Sequence, residues 1–179
     1  IAGNGERGNE LNQLAYPSAI VIDKEGKLII TDNYNHRILS WEIGENIGKV
    51  IAGGNGIGNK NNQLNYPSSV FLDKENNLFI SDRLNHRIQK WKNGAIDGET
   101  VAGNLISGKA NNQLSYPNNS VIDKAGNLYI NDQFNNRILL VKKGAIEGVP
   151  LEKINYSNNL QIDENENLLI SDIDQFRFL

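Results

Sequence analysis

Cysteine and methionine are both absent from this chain of 179 residues. Zero cysteine excludes disulfides and thiolate metal sites. Methionine is missing even at position 1, so the chain is expected to be a mature product or a fragment. No apolar run approaches the roughly 18 residues that a membrane-spanning helix needs, and no leader pattern is visible; no membrane span is expected. A basic excess is lacking too. The net charge is −3 and the pI about 5.4, which argues against a non-specific nucleic-acid binder. Helical periodicity is wanting throughout. Asn is abundant, and Pro and Gly fall at matched places, as in a chain built of turns.

What is present is a period of fifty residues. Tyr16-Pro17, Tyr66-Pro67 and Tyr116-Pro117 are each followed by an apolar run and then by Asp23, Asp73 and Asp123. Asp32, Asp82 and Asp132 come next, then Arg37, Arg87 and Arg137. A fourth copy arrives ten residues early, as Tyr156, Asp163, Asp172 and Arg177. A fixed period of this length marks supersecondary units that cannot bury their apolar faces alone. What recurs in every unit builds the unit. What differs at a matched position is where function can lie.

The second unit reads as four strands. Ser69–Leu72 is a short apolar run, ended by the turn Asp73–Asn77, in which Asp bonds the backbone two residues on and Gly or Asn accepts a positive φ. Leu78–Ser81 is rich in β-formers, Arg87–Trp91 alternates, and Glu99–Ala102 is a weaker fourth strand. Four-stranded units at this period fit a β-propeller. The expected fold is all-β, a propeller of four four-stranded blades near 15–53, 65–103, 115–151 and 155–179, with 1–3 a partial outer strand. The innermost strands are expected near Ala19–Ile22, Ser69–Leu72, Ser120–Ile122 and Leu160–Ile162.

At Thr31–Ile38 and Ser81–Ile88, together with the upstream Tyr-Pro and the Asp123–Leu128 turn, the sequence resembles the NHL repeat family over nearly its whole length. The fourth copy departs from the pattern: Asn155-Tyr156-Ser157 lacks the Pro, and Asp174-Gln175-Phe176-Arg177 lacks the Asn-His. The resemblance implies a propeller, most often six-bladed, that serves protein or RNA partners, with a few enzymatic relatives. An arc cut from a six-bladed ring, completed by remaining blades of a parent chain, is favoured over a closed four-blade ring. Closure would need Ile1-Ala2-Gly3 to latch onto the last blade. An open arc would expose Ile20, Ile22 and Ile30 at one end, and Leu160, Ile162 and Leu169 at the other, and would self-associate or unfold at modest temperature.

Several motifs carry a structural reading beside a functional one. Gly3–Gly8 spells G-x-G-x-x-G, but no helix opens inside it and matched glycines recur at 53–58 and 103–108, so it reads as part of the repeat. His36 and His86 are matched, yet the later copies carry Asn136 and Gln175. With no third His for a zinc, they read as loop-packing residues. The pairs Asp32/Arg37, Asp82/Arg87, Asp132/Arg137 and Asp172/Arg177 read as structural ion pairs rather than a phosphate-binding ring. The sequons at Asn118 and Asn155 matter only in a secreted protein.

The varying positions lie in the loops between the second and third strands and those entering the first. Both sets belong to one face, and loops on a rigid scaffold are where binding residues gather. The expected binding face comprises Tyr34, Arg83, Leu84, Asn118, Asn119, Gln133 and Phe134. No nucleophile–base pair stands out. The expectation is therefore a non-enzymatic scaffold for a protein or peptide, with no cofactor and no metal. The alternatives are an RNA-binding propeller and a metal-dependent lyase or lactone hydrolase.

Overall fold

The computed structural model describes residues 2–153, 157–172 and 177–178. Three successive units each form a four-stranded antiparallel meander. The first holds β1 (Pro17–Ile22), β2 (Leu28–Asp32), β3 (Arg37–Trp41) and β4 (Lys49–Gly53). The second holds β5 (Pro67–Leu72), β6 (Leu78–Asp82), β7 (Arg87–Trp91) and β8 (Glu99–Gly103). The third holds β9 (Asn119–Ile122), β10 (Leu128–Asp132), β11 (Arg137–Val141) and β12 (Val149–Lys153). In the fourth unit the described residues give three strands, β13 (Ser157–Ile162), β14 (Leu168–Asp172) and β15 (Arg177–Phe178). Among the described residues the helical elements are single 3₁₀ turns at Asn33–Asn35, Arg83–Asn85 and Gln133–Asn135.

The turn chemistry is local and repeats. Asp23 Oδ1 accepts from the backbone N–H of Glu25 at 3.0 Å and of Lys27 at 2.8 Å. Asp73, Asp123 and Asp163 repeat the same bonds. The positive φ that closes each turn falls on Gly26, Asn76, Gly126 and Glu166.

The sheets stack face to face with innermost strands adjacent, β1 on β5, β5 on β9 and β9 on β13. This is propeller architecture. Period-two alternation gives each blade two apolar faces, and the core is the set of seams between them. Ile29, Ile38, Ala52 and Leu64 meet Val70, Leu78, Ile80 and Trp91 in the first seam. Phe79 and Ile88 meet Leu128, Ile130, Leu139 and Val141 in the second. Val121 and Ile138 meet Leu160 and Ile170 in the third. Each fully buried Ile or Leu contributes about 1.5–3 kcal/mol, so the stability lies between blades rather than within them.

Ring closure between the fourth and first blades is not seen among the described residues. Ala2 and Gly3 lie outside any strand. Instead of latching onto the last blade, Ala2 packs with Leu14 against Ile30, Leu39 and Trp41 of the first; Ile1 lies outside the described residues. At the ends, Ile20 and Ile22 are 58% and 65% exposed, and Leu169 is 40% exposed. Ile30 and Leu160, expected to be exposed, are each only 3% exposed. The reason is parity. Residues matched to Ile20 point toward the preceding blade, so Leu160 enters the third seam while Ile20 meets no neighbour. Ile30 is covered by the N-terminal segment.

Candidate functional site

Strand direction places the β2–β3, β6–β7 and β10–β11 turns on one face of the stack, together with the long loops 4–16, 54–66 and 104–116. Each of the first three blades anchors this face with one buried hub. Arg37 Nε donates to Asp32 Oδ2 at 2.7 Å, and its terminal nitrogens donate to the carbonyls of Asn9, Glu10 and Gln13 at 2.7–3.1 Å. Asp32 Oδ1 accepts from Ala15 N–H at 2.7 Å, and Oδ2 also takes Asn35 Nδ2 at 2.8 Å. Arg87 with Asp82, and Arg137 with Asp132, repeat the bond at 2.7 Å. These guanidiniums tie the entering loop to its own hairpin and spend four of their five N–H donors within it. For Asp172 and Arg177 the backbone register pairs the two residues.

Each hub holds a tyrosine in an uncommon backbone state. Tyr16, Tyr66 and Tyr116 have φ of +49°, +49° and +50°. A bulky residue in the left-handed region costs about 1–3 kcal/mol and persists only where its surroundings over-determine it. Here they do. Tyr66 N–H donates to His36 Nδ1 at 3.0 Å, and Tyr116 N–H to His86 Nδ1 at 3.2 Å. The residue just before each tyrosine is also fixed: Ala15, Asn65 and Ser115 carbonyls accept from Tyr34, Leu84 and Phe134 N–H at 3.0–3.1 Å. Each histidine therefore joins its blade to the next blade's entry loop. Because Nδ1 accepts, Nε2 carries the proton of the neutral ring. Partial burial lowers both histidine pKa values, with Asp32 and Asp132 respectively opposing the shift.

The result is a row of rings. Tyr16 and Tyr34 lie 4.4 Å apart, Tyr34 and Tyr66 5.1 Å, and His36 sits edge-on to Tyr66 at 4.6 Å. In the third blade Tyr116 and Phe134 lie 4.5 Å apart, with His86 at 4.7 Å. Arg7 stands 4.5 Å over Tyr16 and 5.3 Å over Tyr34. Tyr16, Tyr34 and Phe134 are 57%, 44% and 60% exposed.

The seven residues expected to form the binding face divide in two. Tyr34 and Phe134 stand exposed in the row of rings, and Leu84 is exposed at the matched position of the second blade. Arg83, Asn118, Asn119 and Gln133 lie nearer the axis and make inter-blade bonds. Arg83 donates to Gln133 Oε1 at 3.0 Å, and its Nε is buried without a partner among the described residues. Ser68 Oγ donates to Asn118 carbonyl at 2.7 Å, and Asn119 Nδ2 to Asn159 Oδ1 at 2.8 Å. Arg7, Tyr16, Tyr66 and Tyr116 were hidden from sequence reasoning because they sit inside the repeat motif. The available signal was that position 7 differs from its matches, Ile57 and Ser107.

The remaining candidates are local. The Gly3–Gly8 segment is a loop, closed by Asn4 N–H on Asn12 carbonyl at 2.9 Å. Among the described residues no group of three or more His, Asp or Glu is placed to hold a metal. The glycosylation candidate at Asn118 has its serine, Ser120, buried. Tyr156, Ile173, Asp174, Gln175, Phe176, Leu179 and the sequon at Asn155 lie outside the described residues. No described helix is long and apolar enough to cross a membrane. On the opposite face a cleft of about 830 Å³ opens between the second and third blades, floored by Phe71, Phe79 and Val101.

Against known proteins, the family model for the NHL repeat matches residues 14–39. No curated protein matches the sequence. Solved structures share the fold. A gluconolactonase from Xanthomonas campestris aligns with a TM-score of 0.73 at 12% identity, over 95% of this chain and 62% of that one. Virginiamycin B lyase from Staphylococcus aureus aligns with a TM-score of 0.63 at 16% identity, over 92% and 52%. An auxiliary nutrient binding protein from Bacteroides ovatus aligns with a TM-score of 0.67 at 13% identity, over 94% and 48%. The chain thus spans about half to three-fifths of the length of these structures. The expectation of a non-enzyme is corrected by these neighbours: a lyase and a lactonase are built on the same arrangement, so neither the repeat nor the fold sets the chain apart from enzymes.

Proposed function

Starting from an NHL repeat at residues 14–39 set in a propeller fold, we propose that the face carrying the ring row is a binding surface for a protein or peptide partner. One observation carries this reading. Tyr16, Tyr34 and Phe134 are large, exposed and held by short backbone bonds to a buried ionic hub. Rigid aromatic anchors on pre-ordered loops lose little entropy on binding, which is why aromatic residues dominate interface energetics. Arg83, Asn118, Asn119 and Gln133 supply the polar centre of the same face.

The test is capture of a partner from lysate by the full chain, with and without nuclease, comparing the wild type with Tyr34→Ala/Phe134→Ala. A partner retained after nuclease and lost in the double variant supports the reading. A captured set that ignores both substitutions overturns it, and a partner released by nuclease and by moderate salt replaces it with RNA.

A second reading is favoured by the likeness to a lyase and a gluconolactonase. It is catalysis at the axial mouth of this face, beside Arg83 Nε, which has no partner among the described residues. Assays with gluconolactone and a streptogramin B, with added divalent cations, test it. Turnover abolished by Arg83→Met supports it, and no turnover with either substrate class counts against it.

A further inference from the structure

We propose that the ring-row face reads an extended acidic peptide bearing aromatic or aliphatic side chains, with one contact station per blade. The proposal rests on the reading that this face takes a protein or peptide. Three positions converge in each of the first three blades. Arg7 bridges Leu14, Ile57 bridges Leu64 and Ser107 bridges Leu114, so these three occupy equivalent places beside the tyrosines. The stations are therefore Arg7–Tyr16–Tyr34, Ile57–Tyr66–Leu84 and Ser107–Tyr116–Phe134. The tyrosine is constant because its strained backbone belongs to the hub. Its two flanks change from cationic and aromatic, to aliphatic, to hydroxyl and aromatic. A scaffold requirement would repeat these flanks. A surface that recognises different side chains in succession would vary them.

Charge selects the ligand class. Outside the Asp–Arg hubs, the described side chains of this face include the cations Arg7, Lys60, Arg83 and Lys109 against only Glu6 and Glu10. Every station has at least one cation in its blade or entry loop. On the opposite face acids outnumber lysines in the turns, and the fourth blade's turn, Asp163–Asn167, has three acids and no lysine. The molecule is acidic overall, yet the described side chains of its aromatic side carry the opposite sign. Arg7 covers the Tyr16 ring and bonds its hydroxyl at 3.4 Å, leaving guanidinium donors for a carboxylate. Four cations spread over three blades are sparse for a phosphate backbone. Ile57 and Leu84 in the middle station pack side chains but do not stack bases. An acidic peptide satisfies both observations.

Displayed random decapeptides, panned on the full chain and resynthesised with a fluorescent label, test this by polarisation. Enriched sequences are expected to be rich in Asp and Glu, interleaved with Tyr, Phe or Leu. Binding is expected to weaken roughly tenfold in Arg7→Glu, to be largely restored in Arg7→Lys, and to fall several-fold between low and moderate salt. Arg7 is exposed, so its replacement leaves the fold intact, which circular dichroism verifies. Enriched peptides that are neutral or basic but still lost in Tyr34→Ala/Phe134→Ala overturn the acidic specificity and leave the binding face standing. Enrichment no greater than on that double variant overturns both. Tighter binding of a ten-nucleotide oligouridylate than of any enriched peptide overturns the proposal in favour of RNA.

Discussion

Removing Arg87 tests whether the hub holds the blade together. Its side chain is 1% exposed and that of its partner Asp82 is fully buried. Besides the 2.7 Å bond to Asp82, Arg87 donates to the carbonyls of Asn59, Lys60 and Gln63, each at 3.0 Å. Arg87→Met keeps the apolar stem and deletes these donors. Asp82 is left with Asn85 Nδ2 and Asn65 N–H at 2.8 and 2.7 Å, an under-compensated charge in a dry site. Breaking a buried pair from one side costs about 3–5 kcal/mol, a large fraction of the 5–15 kcal/mol typical of a domain. Arg137→Met should cost less, about 2 kcal/mol, because the Arg137 side chain is 11% exposed and water can reach the carbonyls it abandons. Guanidinium unfolding followed by fluorescence of the buried Trp41 and Trp91 measures both. Adding Asp82→Asn to Arg87→Met should recover part of the loss, since it removes the orphaned charge. A cost below about 1 kcal/mol for Arg87→Met, or equal costs at the two sites, would refute the argument.

Three further outcomes follow from other parts of the fold. Both histidines titrate below their ordinary value near 6.5, so the unfolded chain binds protons that the folded chain refuses. Stability present above about pH 6.5 should be lost as pH falls toward the lower folded values. His36→Asn/His86→Asn, which installs the residue that Asn136 already carries in the same left-handed state, should flatten that profile; an unchanged slope between pH 7 and 5 counts against it. Gly103→Ala should be severely destabilising, since φ is +80° and a Cβ would collide with the His86 carbonyl. Gly94→Ala, at φ +78° with open space around it, should cost only about 1 kcal/mol, and melting temperatures separate the two. Finally, Ile96 is 90% exposed at the far end of the blade, so Ile96→Ser should leave stability unchanged within about 0.5 kcal/mol.

The repeat, its four-strand unit, the Asp-led turns and the Asp–Arg pairs were legible in the sequence because each depends on local rules: period-two patterning, turn chemistry, and partners five residues apart across a hairpin. The same locality explains why the loops carrying Tyr34, Leu84 and Phe134 could be assigned to one face. Tertiary structure decided what no spacing encodes. It made His36 and His86 acceptors for the next blade's tyrosine amides, thirty residues away. It committed Arg83, Asn118, Asn119 and Gln133 to bonds around the axis, leaving the neighbouring rings outermost. It folded Ala2 onto the first blade rather than the last, and it fixed which side of a blade has a neighbour, so that Leu160 is buried and its match Ile20 is not. Sequence sets which residues alternate and where the chain turns, whereas the stacking of one blade on another sets which side chains remain in water.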